Sequence, residues 1–220
     1  MRITYFGHAF FLLEGENGPA IAIDPFDASI GYSVPSVTAD LVLASHEHFD
    51  HANVGAVQGK PRAIVGAAGV GRHELGGAAI TGVAARHYGD PALAARGDNT
   101  VYLIELDGLR VCHTGDLGHA LDDPALAQLG RVDILMVPVG GFFTLDVERV
   151  DDVVNRVAPK VVIPMHYRTP AVTSDVVFRI ATKDAYLRCK TNVREQPSTI
   201  AVRPEDLPAQ REIWVMAYVE

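Results

Sequence analysis

The segment Ser45-His46-Glu47-His48-Phe49-Asp50-His51 sets four metal-binding side chains within six positions, in the order His-x-His-x-Asp-His. Neutral imidazole and carboxylate are the donor types that zinc takes readily and that iron and manganese also accept. Histidines two residues apart can meet on one ion where the backbone is irregular, leaving Asp50 and His51 to turn toward a second. Further donors recur downstream at Arg86-His87, Thr114-Gly115-Asp116 and Ile163-Pro164-Met165-His166-Tyr167. No Gly-x-Ser-x-Gly elbow is present, so an activated serine is not the chemistry the chain advertises.

Donors this close together need rigid elements to aim them. Ala39–Ala44 is a short apolar run that reads as a buried strand delivering its C-terminal end into the histidine loop. Other strands are expected at 2–6, 10–14, 19–23, 63–65, 79–84, 100–105, 109–113, 134–139, 161–163, 199–202 and 213–219. Asp107-Gly108 between apolar runs predicts a hairpin. Asp123-Pro124 opens a helix through Leu129, with Asp as cap and Pro in the first turn. Val150, Val153, Val154 and Val157 share one face of a helix over 147–157, and a third helix is expected over 174–187. The Ala/Gly-rich stretch 66–77 reads as loops and a short helix. Strands first, then strands and helices in alternation, suit a layered α/β protein with sheets packed face to face, and the pattern alone also admits a doubly wound sheet.

The histidine cluster, with the later motifs, resembles the signature of the metallo-β-lactamase superfamily. Thr4-Tyr5-Phe6-Gly7-His8 and Val137-Pro138-Val139-Gly140-Gly141 are similar to the small single-domain branch that includes the ascorbate-6-phosphate lactonase-like hydrolases. The resemblance runs from about residue 2 to about residue 170. It implies a four-layer αββα sandwich, two mixed β-sheets face to face with helices outside, formed by residues 1–220 as one domain. It further implies a first ion on His46, His48 and His87, a second on Asp50, His51 and His166, and Asp116 between them. Zinc is the expected metal, with manganese or iron as substitutes. His113-Thr114-Gly115 competes with Arg86-His87 for the third-histidine role, because many relatives carry that histidine in a Gly-His-Thr context; His87 is favoured, since His113 ends the strand leading into Asp116. In such a site a hydroxide shared by two divalent ions, oriented by Asp50, attacks an ester, lactone, phosphodiester or related bond. His8, Gly141, Tyr167 and Arg168 are the candidates for substrate contact.

Composition narrows the partners. A chain of 220 residues, 48% hydrophobic, is long enough to bury one full core. Its formal charge of −8 argues against a phosphate-tracking surface, so a small-molecule substrate is expected rather than nucleic acid. No apolar run approaches membrane-spanning length, and the start reads as a strand rather than a signal peptide. Two distant cysteines, Cys112 and Cys189, fit a reducing cytoplasm better than a disulfide framework. Assembly with further copies of the chain stays open. Three other functions compete with hydrolysis: a mononuclear-iron sulfur dioxygenase, an RNA-processing nuclease, and a non-catalytic metal-binding module. One iron per chain would favour the first, an inserted substrate-gripping arm the second, and lost ligands the third.

Overall fold

The computed structural model describes residues 1–87, 97–173 and 179–219. Two sheets dominate. The first has six strands in the order Thr199–Ala201, Arg2–Gly7, Phe10–Glu14, Ala20–Ile23, Leu41–Ala44 and Arg62–Val65. The second has eight: Val193–Gln196, Glu212–Met216, Val161–Met165, Ile134–Pro138, Leu109–His113, Asp98–Leu106, Ala78–Arg86 and Gly71–Leu75. Both are mixed, and they form the two-sheet α/β sandwich that the resemblance implies.

Alternation of side chains along each strand explains why the sheets stack. Ile3, Tyr5, Phe11, Leu13, Ile21, Ile23, Leu41 and Leu43 of the first sheet meet Ile80, Tyr102, Ile104, Val111, Met136, Ile163 and Trp214 of the second in one core. The intervening residues are apolar too, so each sheet needs an outer layer. On the second sheet, Val101, Leu103, Leu135, Val137 and Val162 are covered by the helices Asp123–Leu129, Val150–Val157 and Lys183–Leu187. On the first, Phe6, Phe10, Leu12 and Val42 are covered by Phe26, Ile30, Tyr32, Val37 and Val57, which lie in loops, a single 3-10 turn and a two-stranded ribbon. All three α-helices among the described residues therefore sit on one side.

Several local expectations are refined. The Asp107-Gly108 hairpin forms with both residues at positive φ, +52° and +77°, as a type I′ turn requires. The first helix is capped by Asp122, not Asp123: its carboxylate accepts from the Ala125 N–H at 2.9 Å. The 147–157 helix begins as a 3-10 turn over Val147–Arg149 and turns α only at Val150. The third helix is confined to Lys183–Leu187, and residues 174–178 of the expected span lie outside the described residues. In the Ala/Gly-rich stretch a 3-10 turn, Gly66–Gly69, leads into the strand Gly71–Leu75. Among the described residues, no helix is long and apolar enough to cross a membrane.

What positions the site is strand direction. Ala20–Ile23 runs parallel to Leu41–Ala44, and Ile134–Pro138 runs parallel to both Leu109–His113 and Val161–Met165. Arg2–Gly7 and Ala78–Arg86 return to the same sense through antiparallel neighbours. The C-terminal ends of these seven strands thus converge on one rim of the sandwich.

Candidate metal centre

Six of those seven ends deliver a histidine or an aspartate. Arg2–Gly7 leads to His8, Ala20–Ile23 to Asp24, Leu41–Ala44 to the 45–51 loop, Ala78–Arg86 to His87, Leu109–His113 to Asp116, and Val161–Met165 to His166. Three overlapping groups result, in each of which one donor atom per residue lies within 4.8 Å of the others: His46, His48 and His87; His8, Asp50, His51 and His166; and His46, His51 and Asp116. All are buried except His48 and Asp50, which are partly exposed.

Asp116 sits where these groups meet. One carboxylate oxygen, Oδ2, is 3.1 Å from His87 Nε2 and 3.9 Å from His46 Nε2. The other, Oδ1, is 3.3 Å from the Nε2 atoms of both His51 and His166. Its backbone is fixed from across the rim, since the Asp116 N–H donates to Asn99 Oδ1 at 2.9 Å while Asn99 Nδ2 donates to the Thr114 carbonyl at 2.9 Å. Gly115 is obligatory in that turn. Its φ is +54°, and a Cβ there would lie 2.4 Å from both Asn99 Oδ1 and Ser45 Cβ.

Asp24, which sequence reasoning did not single out, braces the histidine loop from beneath. It is fully buried, and its carboxylate accepts from Ser45 N–H at 2.7 Å, from Ser45 Oγ at 2.7 Å and from His51 Nδ1 at 2.8 Å. The consequence is a fixed tautomer at two histidines. His51 donates its Nδ1–H to Asp24, so Nε2 is the nitrogen that faces Asp116. Ser45 Oγ gives its proton to Asp24 and so accepts from His46 Nδ1 at 2.9 Å, which leaves His46 Nε2 unprotonated on the site side. The only sequence signal for Asp24 was a buried strand, Ala20–Ile23, ending in Asp-Pro.

Charge follows the same layout. Burial pushes His46 and His166 down to about 3, so both are neutral and able to donate lone pairs. Burial opposes ionisation of Asp50 as well, but the charge on His51 and the hydrogen bond from His8 hold its carboxyl well below the usual range. Asp116 is likewise held ionised against burial by His166 and His51, and Asp24 by His51 and His113. His51 is pulled the other way: against the burial cost, the carboxylates of Asp116, Asp50 and Asp24 raise it well above an ordinary histidine.

The donor set fits divalent cations. The buried carboxylates of Asp24 and Asp116 and the partly exposed Asp50 outnumber the one imidazole they hold protonated, His51, while His46 and His166 are neutral, an excess of negative charge that burial would not tolerate without compensation. His51 Nε2 and Asp116 Oδ1 are buried, lie 3.3 Å apart and are not aligned for a hydrogen bond, so neither is satisfied by the protein. They are oriented as ligands.

The two competing histidines separate cleanly. His87 joins His46 and His48, whereas His113 is fully buried with both ring nitrogens used: Nε2 meets the Ala9 carbonyl at 2.9 Å, and Nδ1 accepts the Gly115 N–H at 3.2 Å. Of the residues expected to touch substrate, His8 lies inside the donor cluster. Gly141 and Tyr167 are held by other contacts. Gly141 is buried in a tight turn at φ +63°, its carbonyl accepting from the Phe143 N–H, while the close approach to His166 is made by Gly140, where a Cβ would fall 2.3 Å from the His166 carbonyl. Tyr167 packs into the layer between the second sheet and its helices, where burial pushes its phenol above the ordinary range. Arg168 is partly buried, its backbone N–H bonded to the Ala181 carbonyl at 2.9 Å. His119 is occupied by backbone: its Nε2 accepts from Arg86 N–H and its Nδ1 donates to the Ala120 carbonyl.

Comparison with known proteins agrees with the fold. Residues 2–166 match the Beta-lactamase superfamily domain. A UPF0173 metal-dependent hydrolase of Carboxydothermus hydrogenoformans is 33% identical over 202 residues, covering 80% of this chain and 89% of its own length. A crystal structure from Thermotoga maritima, assigned to the Zn-dependent hydrolases of the metallo-β-lactamase superfamily, superposes with a TM-score of 0.79 at 34% identity, over 98% of this chain and 97% of that one. A metallo hydrolase of Ignicoccus hospitalis gives a TM-score of 0.58 at 26% identity, over 79% of this chain and 86% of the other. The chain therefore belongs to the metallo-β-lactamase superfamily and, within it, to the family of the UPF0173 metal-dependent hydrolases.

Proposed function

We propose that the protein is a metal-dependent hydrolase whose active centre holds two divalent ions. His46, His48 and His87 hold the first, Asp50, His51 and His166 the second, and Asp116 stands between them. The observation that carries this reading is the split of the Asp116 carboxylate, with Oδ2 toward His87 and His46 and Oδ1 toward His51 and His166. A carboxylate has two oxygens to offer two cations, and its charge offsets their mutual repulsion.

Bound there, the ions supply Lewis-acid polarisation of a substrate oxygen and a water acidified to near neutral pH. The chain's own residues do the rest. Asp24 and Ser45 hold His46 and His51 in the tautomers that present Nε2 inward. Asp50, ionised and partly exposed, is placed to orient the attacking water and take its proton. The buried imidazoles keep bulk water from the inner side of the cluster. The substrate is a small molecule with an ester, lactone, phosphodiester or related bond. Zinc is the first choice of metal for a histidine-rich set, and manganese or iron suits the same donors.

The test is elemental analysis of protein purified without added metal, followed by a panel of chromogenic esters, lactones and phosphodiesters. Two divalent ions per chain and hydrolysis abolished by chelator are expected. One iron per chain, or chelator-resistant turnover, would overturn the reading.

A further inference from the structure

His8 is fully buried, sits outside the 45–51 loop, and adopts φ +52°, a left-handed backbone that L residues avoid unless their surroundings impose it. The surroundings do impose it. Gly7 before it turns at φ +105°, where any Cβ would strike the Tyr32 ring at 2.3 Å. The His8 carbonyl is then fixed by two donors, the His166 N–H at 2.7 Å and the Tyr5 hydroxyl at 3.0 Å. The result carries the His8 ring over that of His166, with centroids 4.1 Å apart, and brings His8 Nε2 to 3.2 Å from Asp50 Oδ2. Its other nitrogen, Nδ1, is buried without a hydrogen-bond partner.

The tautomer follows. A proton on Nδ1 would leave a buried donor unbonded and turn the Nε2 lone pair against a carboxylate. A proton on Nε2 gives a charge-assisted bond to Asp50 and strands only a weak acceptor. We infer that His8 is a positioning residue for the second ion: its Nε2–H engages Asp50 Oδ2 and so fixes which carboxylate oxygen of Asp50 faces the cation. This inference rests on Asp50 being a ligand of that ion. It differs from a substrate-contact role, because His8 then acts through Asp50 and not on the substrate.

Three variants separate this role from its rivals. His8→Gln carries an amide donor at the reach of Nε2. His8→Asn suits the left-handed backbone better, but its amide stops at the reach of Nδ1. His8→Ala removes the donor altogether. Chelator-stripped parent and variants are titrated with Zn(II) by calorimetry and with Co(II) by visible absorption, and thermal melting of the stripped forms checks folding. Loss of a bond that orients a ligand typically weakens metal binding about 10- to 100-fold. The second equivalent should weaken by about tenfold or more in His8→Ala and His8→Asn and stay near parental in His8→Gln, with the first equivalent unchanged and the Co(II) bands retained at saturation. Parental affinity in all three variants overturns the inference. So does His8→Asn outperforming His8→Gln, which would mean the residue serves only the turn. Altered second-equivalent Co(II) bands in every variant also overturn it, by making His8 itself a ligand. A parent that takes up one equivalent sinks the two-ion reading itself, before any His8 variant is compared.

Discussion

The two halves of the donor cluster are built differently. His46, His48 and His87 come from one loop and one strand end, are all imidazole, and reach the surface through the partly exposed His48. Asp50, His51 and His166 include a carboxylate, reach the surface through the partly exposed Asp50, and are braced: His51 by Asp24 at 2.8 Å, Asp50 by His8 at 3.2 Å, and His166 by the backbone bond to His8 at 2.7 Å. In the first half Ser45 holds His46, whereas in the second all three donors are braced and one is charged. Preorganisation lowers the ordering cost of binding, so the halves should differ in affinity and exchange rate even for the same ion.

The sharpest way to break that contrast is to remove ligands one at a time. His51→Ala or His166→Ala should abolish mainly the second equivalent of zinc, and His46→Ala or His48→Ala mainly the first, as read by elemental analysis. Unchanged metal content in all four variants contradicts the assignment. Asp24→Asn should come next in size. It removes the charge that sets the tautomers of His51 directly and His46 through Ser45, one histidine from each half, so both equivalents should weaken about 10- to 100-fold in calorimetric titration. An effect confined to one equivalent would show that Ser45 does not relay the constraint.

His113→Ala sharpens the same point from outside the cluster. Metal content should match the parent, while stability falls by about 1–3 kcal/mol because the Ala9 carbonyl and the Gly115 N–H lose a buried partner. Loss of an ion on that substitution would transfer the ligand role from His87.

A smaller effect concerns pH in the chelator-stripped protein. His46 and His166 titrate near 3 when folded and near 6.5 when unfolded, so only the unfolded chain takes up those protons between the two values. Stability therefore declines as pH falls from 6.5 toward 3. His51, raised above 6.5 in the folded state, contributes stability below 6.5 that is lost as pH climbs. The melting temperature of the stripped protein should peak near pH 6.5, and a profile rising steadily from pH 4 to 9 would contradict these assignments.

The ligand-type residues were legible in the sequence because they cluster in one loop or stand at the ends of apolar runs, and strand direction then brings those ends together. The sequence favoured His87 over His113 only because His113 ends the strand leading into Asp116, and the physical ground for that choice was not legible. Side-chain alternation decides it: His113 lies on the same side of its strand as Val111, in the inter-sheet core, while Cys112 between them faces the helices. Asp24 escaped notice because its meaning lies in contacts to Ser45 and His51, 21 and 27 residues away. The strands Gly71–Leu75 and Val193–Gln196 were missed for another reason. Both are sheet edges, and Arg72, Glu74, Arg194 and Glu195 leave no apolar alternation to read. The lopsided helical coverage was invisible as well, because an apolar outer face demands a cover but does not dictate whether helix or loop provides it.

The central claim is that one carboxylate joins the two halves, and calorimetric titration of chelator-stripped Asp116→Asn with zinc tests it most directly. The substitution keeps the shape of the side chain and removes the charge that two adjacent cations share. Both equivalents should weaken together relative to the parent, with the second, less histidine-rich site losing more, and the metal-dependent gain in melting temperature should shrink accordingly. Two zinc ions bound at parental affinity would contradict the account and remove Asp116 as the group between them.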